Sequence, residues 1–190
     1  MKQALDPRYL QYCELLLRWQ KTYNLTAIKN IDEMMTHHVQ DSLAIKDFIH
    51  GKNIIDVGSG AGLPGMILAI ALPDKKFTLL DAVEKKTHFM QHVKTKLNLL
   101  NVTVVHSRVE DYKPAELFDT VVTRAFSDIK QMLICTQHLL SEQGEFLAMK
   151  GKLPEEELAE LPTGFNVKSV QSLTVPGLDA SRHLLVIERS

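Results

Sequence analysis

Four glycines and two aspartates are the residues here whose types and spacing best suit chemistry. Ile54–Ile70 reads IIDVGSGAGLPGMILAI: an apolar, β-branched start ends at Asp56-Val57, and Gly58, Gly60, Gly62 and Gly65 precede a helical apolar run. Backbone without Cβ atoms at such a strand-to-helix turn lets a ligand approach closely. Gly60-Ala61-Gly62-Leu63-Pro64-Gly65 fits GxGxxG, the dinucleotide pattern. A pyrophosphate, however, needs free N–H groups at the helix start, and Pro64 lies there without one. No GxxxxGKS or GxxxxGKT is present to cradle phosphates. None of the four tyrosines has a lysine four residues on, so the YxxxK of a short-chain dehydrogenase is missing.

In another register, Gly58-x-Gly60-x-Gly62 directly follows Asp56. That is the turn used to hold S-adenosylmethionine (SAM), a cofactor without phosphate. Asp81 closes the next apolar run in TLLDA, where a carboxylate suits the two ribose hydroxyls. The plainer alternative is a glycine turn that only packs a helix against a strand.

His37, His38 and Asp41 share one helical face at i, i+3 and i+4 spacing. Two imidazoles and a carboxylate suggest a metal, but no further ligand has recognisable spacing. The expectation is no metal, with His38 locked onto Asp41 or nearby backbone. No Ser-His-Asp triad or close carboxylate pair is legible, so no catalytic residue is assigned.

These residues need elements to position them. Asp6-Pro7 is a helix start, and Leu10, Cys13, Leu16 and Leu17 carry the helix to about Tyr23. Asp32 and Glu33 open a second helix through Ser42. Residues 1–50 are thus expected to form a small helical cap, and 51–190 the main domain. Strands are expected at Asn53–Val57, Phe77–Asp81, Val102–His106, Thr120–Thr123 and Glu145–Met149. Helices are expected at Pro64–Leu72, Glu84–Leu99, Ile129–Leu140 and Pro154–Leu161. Such alternation predicts right-handed βαβ units, a parallel sheet and helices on both faces. Val167–Val175 and His183–Glu188, joined through Pro176-Gly177, read as a hairpin with an antiparallel last strand. The fold class is therefore α/β: Rossmann-like, seven-stranded, mostly parallel. In such sheets ligands bind beyond the carboxyl ends of the strands, where strand order reverses.

With 190 residues and net charge −1, the chain suits one domain with an appendage and has no global bias toward nucleic acid or membrane. Cys13 and Cys135 lack paired spacing and read as core residues in a reducing compartment. The start after Met1 is polar and charged, unlike a signal peptide. A cytoplasmic protein without a membrane span is expected. Glu155–Glu157 reads as a solvated helix face.

Several stretches together resemble one family: YNLTAI (23–28), HHVQDSL (37–43), DVGSGAGLPGMILAI (56–70), LLDAVEKKTHF (79–89), SRVED (107–111), FDTVVTRAF (118–126), MKG (149–151) and RHLLVIE (182–188). They are similar to the bacterial small-subunit ribosomal RNA methyltransferase G family, RsmG, also called GidB. Thr123 stands where that family usually has serine, and His37 where it often has arginine. The start is short for the family, an expectation of one leading helix fewer. The resemblance implies SAM-dependent methylation of N7 of one guanine in 16S rRNA, by a monomer acting on the RNA or on a small-subunit particle. It implies a cofactor site of Gly58, Gly60, Leu63, Asp81, Ala82, Val109, Glu110 and Arg124. Arg124 and Lys150 would meet the substrate, and Lys85 and Lys86 are candidates for RNA phosphate. Plainer roles remain open: loop solvation for Arg108, Glu110 and Asp111, a structural ion pair for Arg124, and solvation for the two lysines. Two other functions compete: a non-catalytic nucleotide-binding scaffold and a small NAD(P)-dependent oxidoreductase, the latter opposed by Pro64 and the missing YxxxK.

Overall fold

Apolar runs covered on both faces become the middle of the sheet. In the computed structural model, which describes residues 5–124, 126 and 128–190, seven strands form one sheet: β1 (Asn53–Val57), β2 (Lys76–Asp81), β3 (Val102–His106), β4 (Phe118–Arg124), β5 (Leu140–Lys150), β6 (Phe165–Ser172) and β7 (His183–Arg189). Their order is β3-β2-β1-β4-β5-β7-β6. Pairs from β3 to β5 are parallel, and β7 runs antiparallel to both β5 and β6. The order reverses between β1 and β4, so the crevice lies at their carboxyl ends.

Side chains alternate between two cores. Ile54, Phe77, Leu79, Val122 and Leu147 face one, and Ile55, Leu80, Val121, Phe146 and Ala148 the other. Three helices cover the first face: α1 (Pro7–Tyr23), the apolar α4 (Gly65–Ala71) and α5 (Glu84–Lys96). The second is covered by α6 (Ile129–Thr136) with a following 3-10 turn. Trp19 of α1 packs edge-on against Phe89 of α5, ring centroids 5.5 Å apart, so the N-terminal helices share the main core.

α1 begins where expected: the Asp6 carboxylate accepts the Arg8 N–H at 2.9 Å. It ends at Asn24, in left-handed backbone with φ 47°. The second helix departs from expectation in two ways. Its cap is Asn30, whose side chain accepts the Glu33 N–H at 2.8 Å. It is also three segments, α2 (Ile31–Met34), a π turn (Met35–Gln40) and α3 (Asp41–Leu43). A π turn widens the helix and rephases the side chains that follow, and such turns are common at functional sites. The last helix, α7, is the short Glu155–Ala159.

Two surface expectations are corrected. Cys13 is buried but Cys135 only half so, because its turn of α6 faces outward. Glu157 is not merely solvated: it accepts the Ile129 N–H at the start of α6 (2.8 Å) and pairs with Lys150 at 2.9 Å.

Candidate active site

The glycine turn is pinned peptide by peptide. The N–H groups of Gly58 and Ser59 donate to the Leu80 carbonyl at 2.8 and 3.1 Å, tying the turn to β2. Gly60 N–H donates to Asp81 Oδ2 at 2.8 Å. Gly62 and Leu63 donate to the Ser59 carbonyl at 2.8 and 2.9 Å. Gly58, Gly60 and Gly62 have φ of 71°, 60° and 86°, a region that side chains strain to adopt. A Cβ on Gly58 would meet nothing within 4 Å, and on Gly60 only a carbonyl at 4.0 Å, so this side of the turn is open.

Asp56 anchors the turn from below. It is fully buried, and its Oδ2 accepts the Gly65 N–H at 2.8 Å. Its Oδ1 has no partner among the described residues. Burial pushes its carboxyl up to about 7, against the Gly65 hydrogen bond and the Arg124 charge.

Beside the turn lies a cavity of about 240 Å³ lined by Gly58, Asp81, Ala82, Val109, Glu110 and Phe126, among others. Five of the residues read from the sequence thus meet in one crevice. Asp81 is its buried carboxylate. It accepts Gly60 N–H on one oxygen and Val83 N–H on the other (2.9 Å), and each carboxylate oxygen keeps a further lone pair for a ligand. Lys86 Nζ stands 3.7 Å from it, so this lysine's charge is turned toward the crevice. Glu110 is exposed on a 3-10 turn (Val109–Asp111) after β3. Leu63 is different: its side chain is in the core and its N–H is taken by Ser59. The open turn, the spare acceptors of Asp81 and the crevice together fit the adenosine part of SAM.

A second cavity, about 480 Å³, opens at the ends of β4 and β5 and is lined by His37, Asp41, Arg124, Lys150, Arg182 and His183, among others. Asp41 is its hub. Its Oδ1 accepts Arg182 Nε at 2.7 Å, and its Oδ2 accepts Arg124 Nη1 at 3.3 Å. One carboxylate against two guanidiniums leaves the wall cationic. The ion pair weighed for Arg124 is therefore present, yet its side chain keeps 23% exposure. Lys150 is at the mouth as expected, but its ammonium is committed to Glu157 and only 14% exposed. The lock expected for His38 has another partner. Its Nε2 lies 2.8 Å from Thr26 Oγ1, while Asp41 turns to the arginines. Burial first, and then the Arg124 charge, lower the His38 imidazole to about 4, so it is neutral.

Sequence reasoning gave Arg182 no role and passed over Tyr12, whose hydroxyl donates to the Ala61 carbonyl at 2.8 Å. Arg182 lies 141 positions from Asp41, and only the fold brings the two together. Its place just before β7 was the one available signal. Ala125, inside the quoted TRAF stretch, lies outside the described residues. No helix among the described residues is long and apolar enough to cross a membrane.

A structure of a SAM-dependent methyltransferase from Aquifex aeolicus shares this fold, with a TM-score of 0.63 over 97% of this chain and 99% of that one at 17% identity. The ribosomal RNA small subunit methyltransferase G of Idiomarina loihiensis is 44% identical over 189 residues, covering 100% of this chain and 92% of that protein. Its namesake from Pseudomonas putida is 49% identical over 184 residues, covering 96% and 85%. The family model described as rRNA small subunit methyltransferase G matches residues 6–185. Agreement of this extent reaches past a common fold, and the chain belongs to the rRNA small subunit methyltransferase G family.

Proposed function

We propose that this chain is a SAM-dependent methyltransferase acting on N7 of a guanine in 16S rRNA, as a cytoplasmic monomer. The observation that carries the reading is the adjacency of two cavities at the β1/β4 switch. One has a carboxylate with spare acceptors beside an open glycine turn, and the other has a cationic wall. The β4 end joins them, with Arg124 lining one and Phe126 the other.

SAM, when bound, supplies an electrophilic methyl group on a sulfonium. Guanine N7 carries a lone pair in the ring plane and no proton, and it is a major-groove acceptor. The transfer therefore needs no general base from the protein, only alignment. Gly58 and Gly60 let the backbone approach the cofactor, and Asp81 holds its ribose. Val109 and Glu110 border the adenine. Arg124 is placed to exchange Asp41 for the methionine carboxylate, its fork suited to either. Arg124 and Arg182 draw the RNA phosphate to the second cavity.

The test is incubation of 16S rRNA, free and in small-subunit particles, with the protein and labelled SAM. Borohydride and aniline treatment then cleaves the RNA at 7-methylguanosine. One labelled, cleavable guanosine is expected. Label at another atom would overturn the N7 assignment, and SAM binding without transfer to either RNA would favour a binding scaffold.

A further inference from the structure

We infer that Tyr12 is a positioning residue for the methyl donor: from α1, its hydroxyl holds the Ala61 carbonyl and so sets the shape of the Gly60–Gly62 turn. The inference rests on the donor's seat proposed above and on an accounting of that turn's polar groups. In a helical turn the Ala61 carbonyl would accept from residue 64 or 65. Residue 64 is proline and has no N–H. The Gly65 N–H is already given to Asp56. The helix's first bond skips to the next carbonyl, Met66 N–H to Gly62 at 2.7 Å. Ala61 would thus be a buried carbonyl without a donor, and Tyr12, 49 positions away and fully buried, supplies one at 2.8 Å.

The flanking residues make this bond matter for the ligand. Gly60 and Gly62 both sit at positive φ and have no Cβ to limit rotation of the peptides beside Ala61. A carbonyl that loses its donor turns toward water, and the open side of this turn is the seat. The other pins of the turn come from β2, Asp56 or the turn itself. Tyr12 is the pin from the N-terminal helices. Its ring is fixed in the core against Phe89, centroids 6.2 Å apart. Burial raises the phenol well above its ordinary value, so it stays protonated and remains a donor.

Tyr12→Phe removes one oxygen and keeps the ring. The expected result is a Kd for S-adenosylhomocysteine and a KM for SAM raised roughly five- to fiftyfold, with kcat and the KM for RNA within about twofold by the same reasoning. Leu16→Ala, on the same buried face of α1, lowers Tm without raising the Kd. A wild-type Kd in Tyr12→Phe, or an equal rise in Leu16→Ala, would overturn the proposal. Hydrogen exchange on the wild-type chain needs no variant to fold. By reciprocity of coupling, S-adenosylhomocysteine should slow exchange in residues 9–16 as well as 58–65. Slowing at 58–65 alone refutes the role of Tyr12. Binding that slows neither refutes the seat itself.

Discussion

Burial displaces two titratable groups near Arg124 in opposite directions, and the Arg124 charge lowers both. Asp56, raised to about 7 by burial, binds more protons folded than unfolded between about pH 4 and 7. Its contribution to stability therefore falls as pH rises through that window and is flat above it. His38, lowered to about 4, binds fewer protons folded than unfolded between about pH 4 and 6.5, so its contribution falls as pH drops. The two slopes oppose each other in the wild type. Asp56→Asn keeps an oxygen for Gly65 and removes one slope. Its stability relative to wild type should improve by on the order of 2–4 kcal/mol from pH 4 to 7 and then level off. His38→Gln should gain on wild type below pH 6.5 by on the order of 1–3 kcal/mol. Urea midpoints across pH check both, and curves parallel to wild type would refute the assignments.

Elements carry the next two expectations. Where α4 meets β1 and β2, a Cβ at Gly65 would clash with the Leu79 side chain and lie 2.7 Å from Asp56 Oδ2. Gly65→Ala should cost about 1–3 kcal/mol, the range for overpacking, seen as a lowered urea midpoint with unchanged m. Where β5 meets α7, Glu157 holds the ammonium of Lys150. Glu157→Gln should free that charge and steepen the salt dependence of RNA binding by about 0.7–0.9 of a log unit per log unit of salt. Lys150→Ala should change the slope by less than that, because its charge is already neutralised. The β1 and β3 limits were legible in full, since both are short β-branched runs, β1 covered on both faces and β3 at the sheet edge. β5 was legible only from Glu145. Leu140 reads as the end of a helix and residues 141–144 take no assignment from the sequence, yet Leu140 pairs with Phe118 across a register shift. The glycine turn, Asp81 and Arg124 were legible because the turn directly follows a strand and the two side chains end strands. Tyr12–Ala61, Asp41–Arg182 and Lys150–Glu157 were not. Each joins elements whose approach is set by tertiary packing, and local periodicity says nothing of it.

At the scale of the molecule, the N-terminal helices and the sheet share one apolar cluster running from Tyr9 to Val186. We propose that residues 1–50 and 51–190 unfold together. The chain's single tryptophan, Trp19, lies on α1 against α5 and reports that contact by fluorescence, while far-ultraviolet circular dichroism reports the whole. The two denaturation curves should coincide. An earlier fluorescence transition would mean that the helices detach first.

The position of β7 has a consequence for how the chain is made. Synthesis delivers β6 before β7, yet β7 lies between β5 and β6 in the finished sheet. Until it emerges, the nascent chain carries a raw β5 edge, and β6 has no neighbour to pair with. Arg182, immediately before β7, arrives in the same late step, and with it the second guanidinium on Asp41. The cationic wall is therefore completed only as the sheet is closed, and a nascent chain that has not yet exposed β7 lacks the second guanidinium of that cavity.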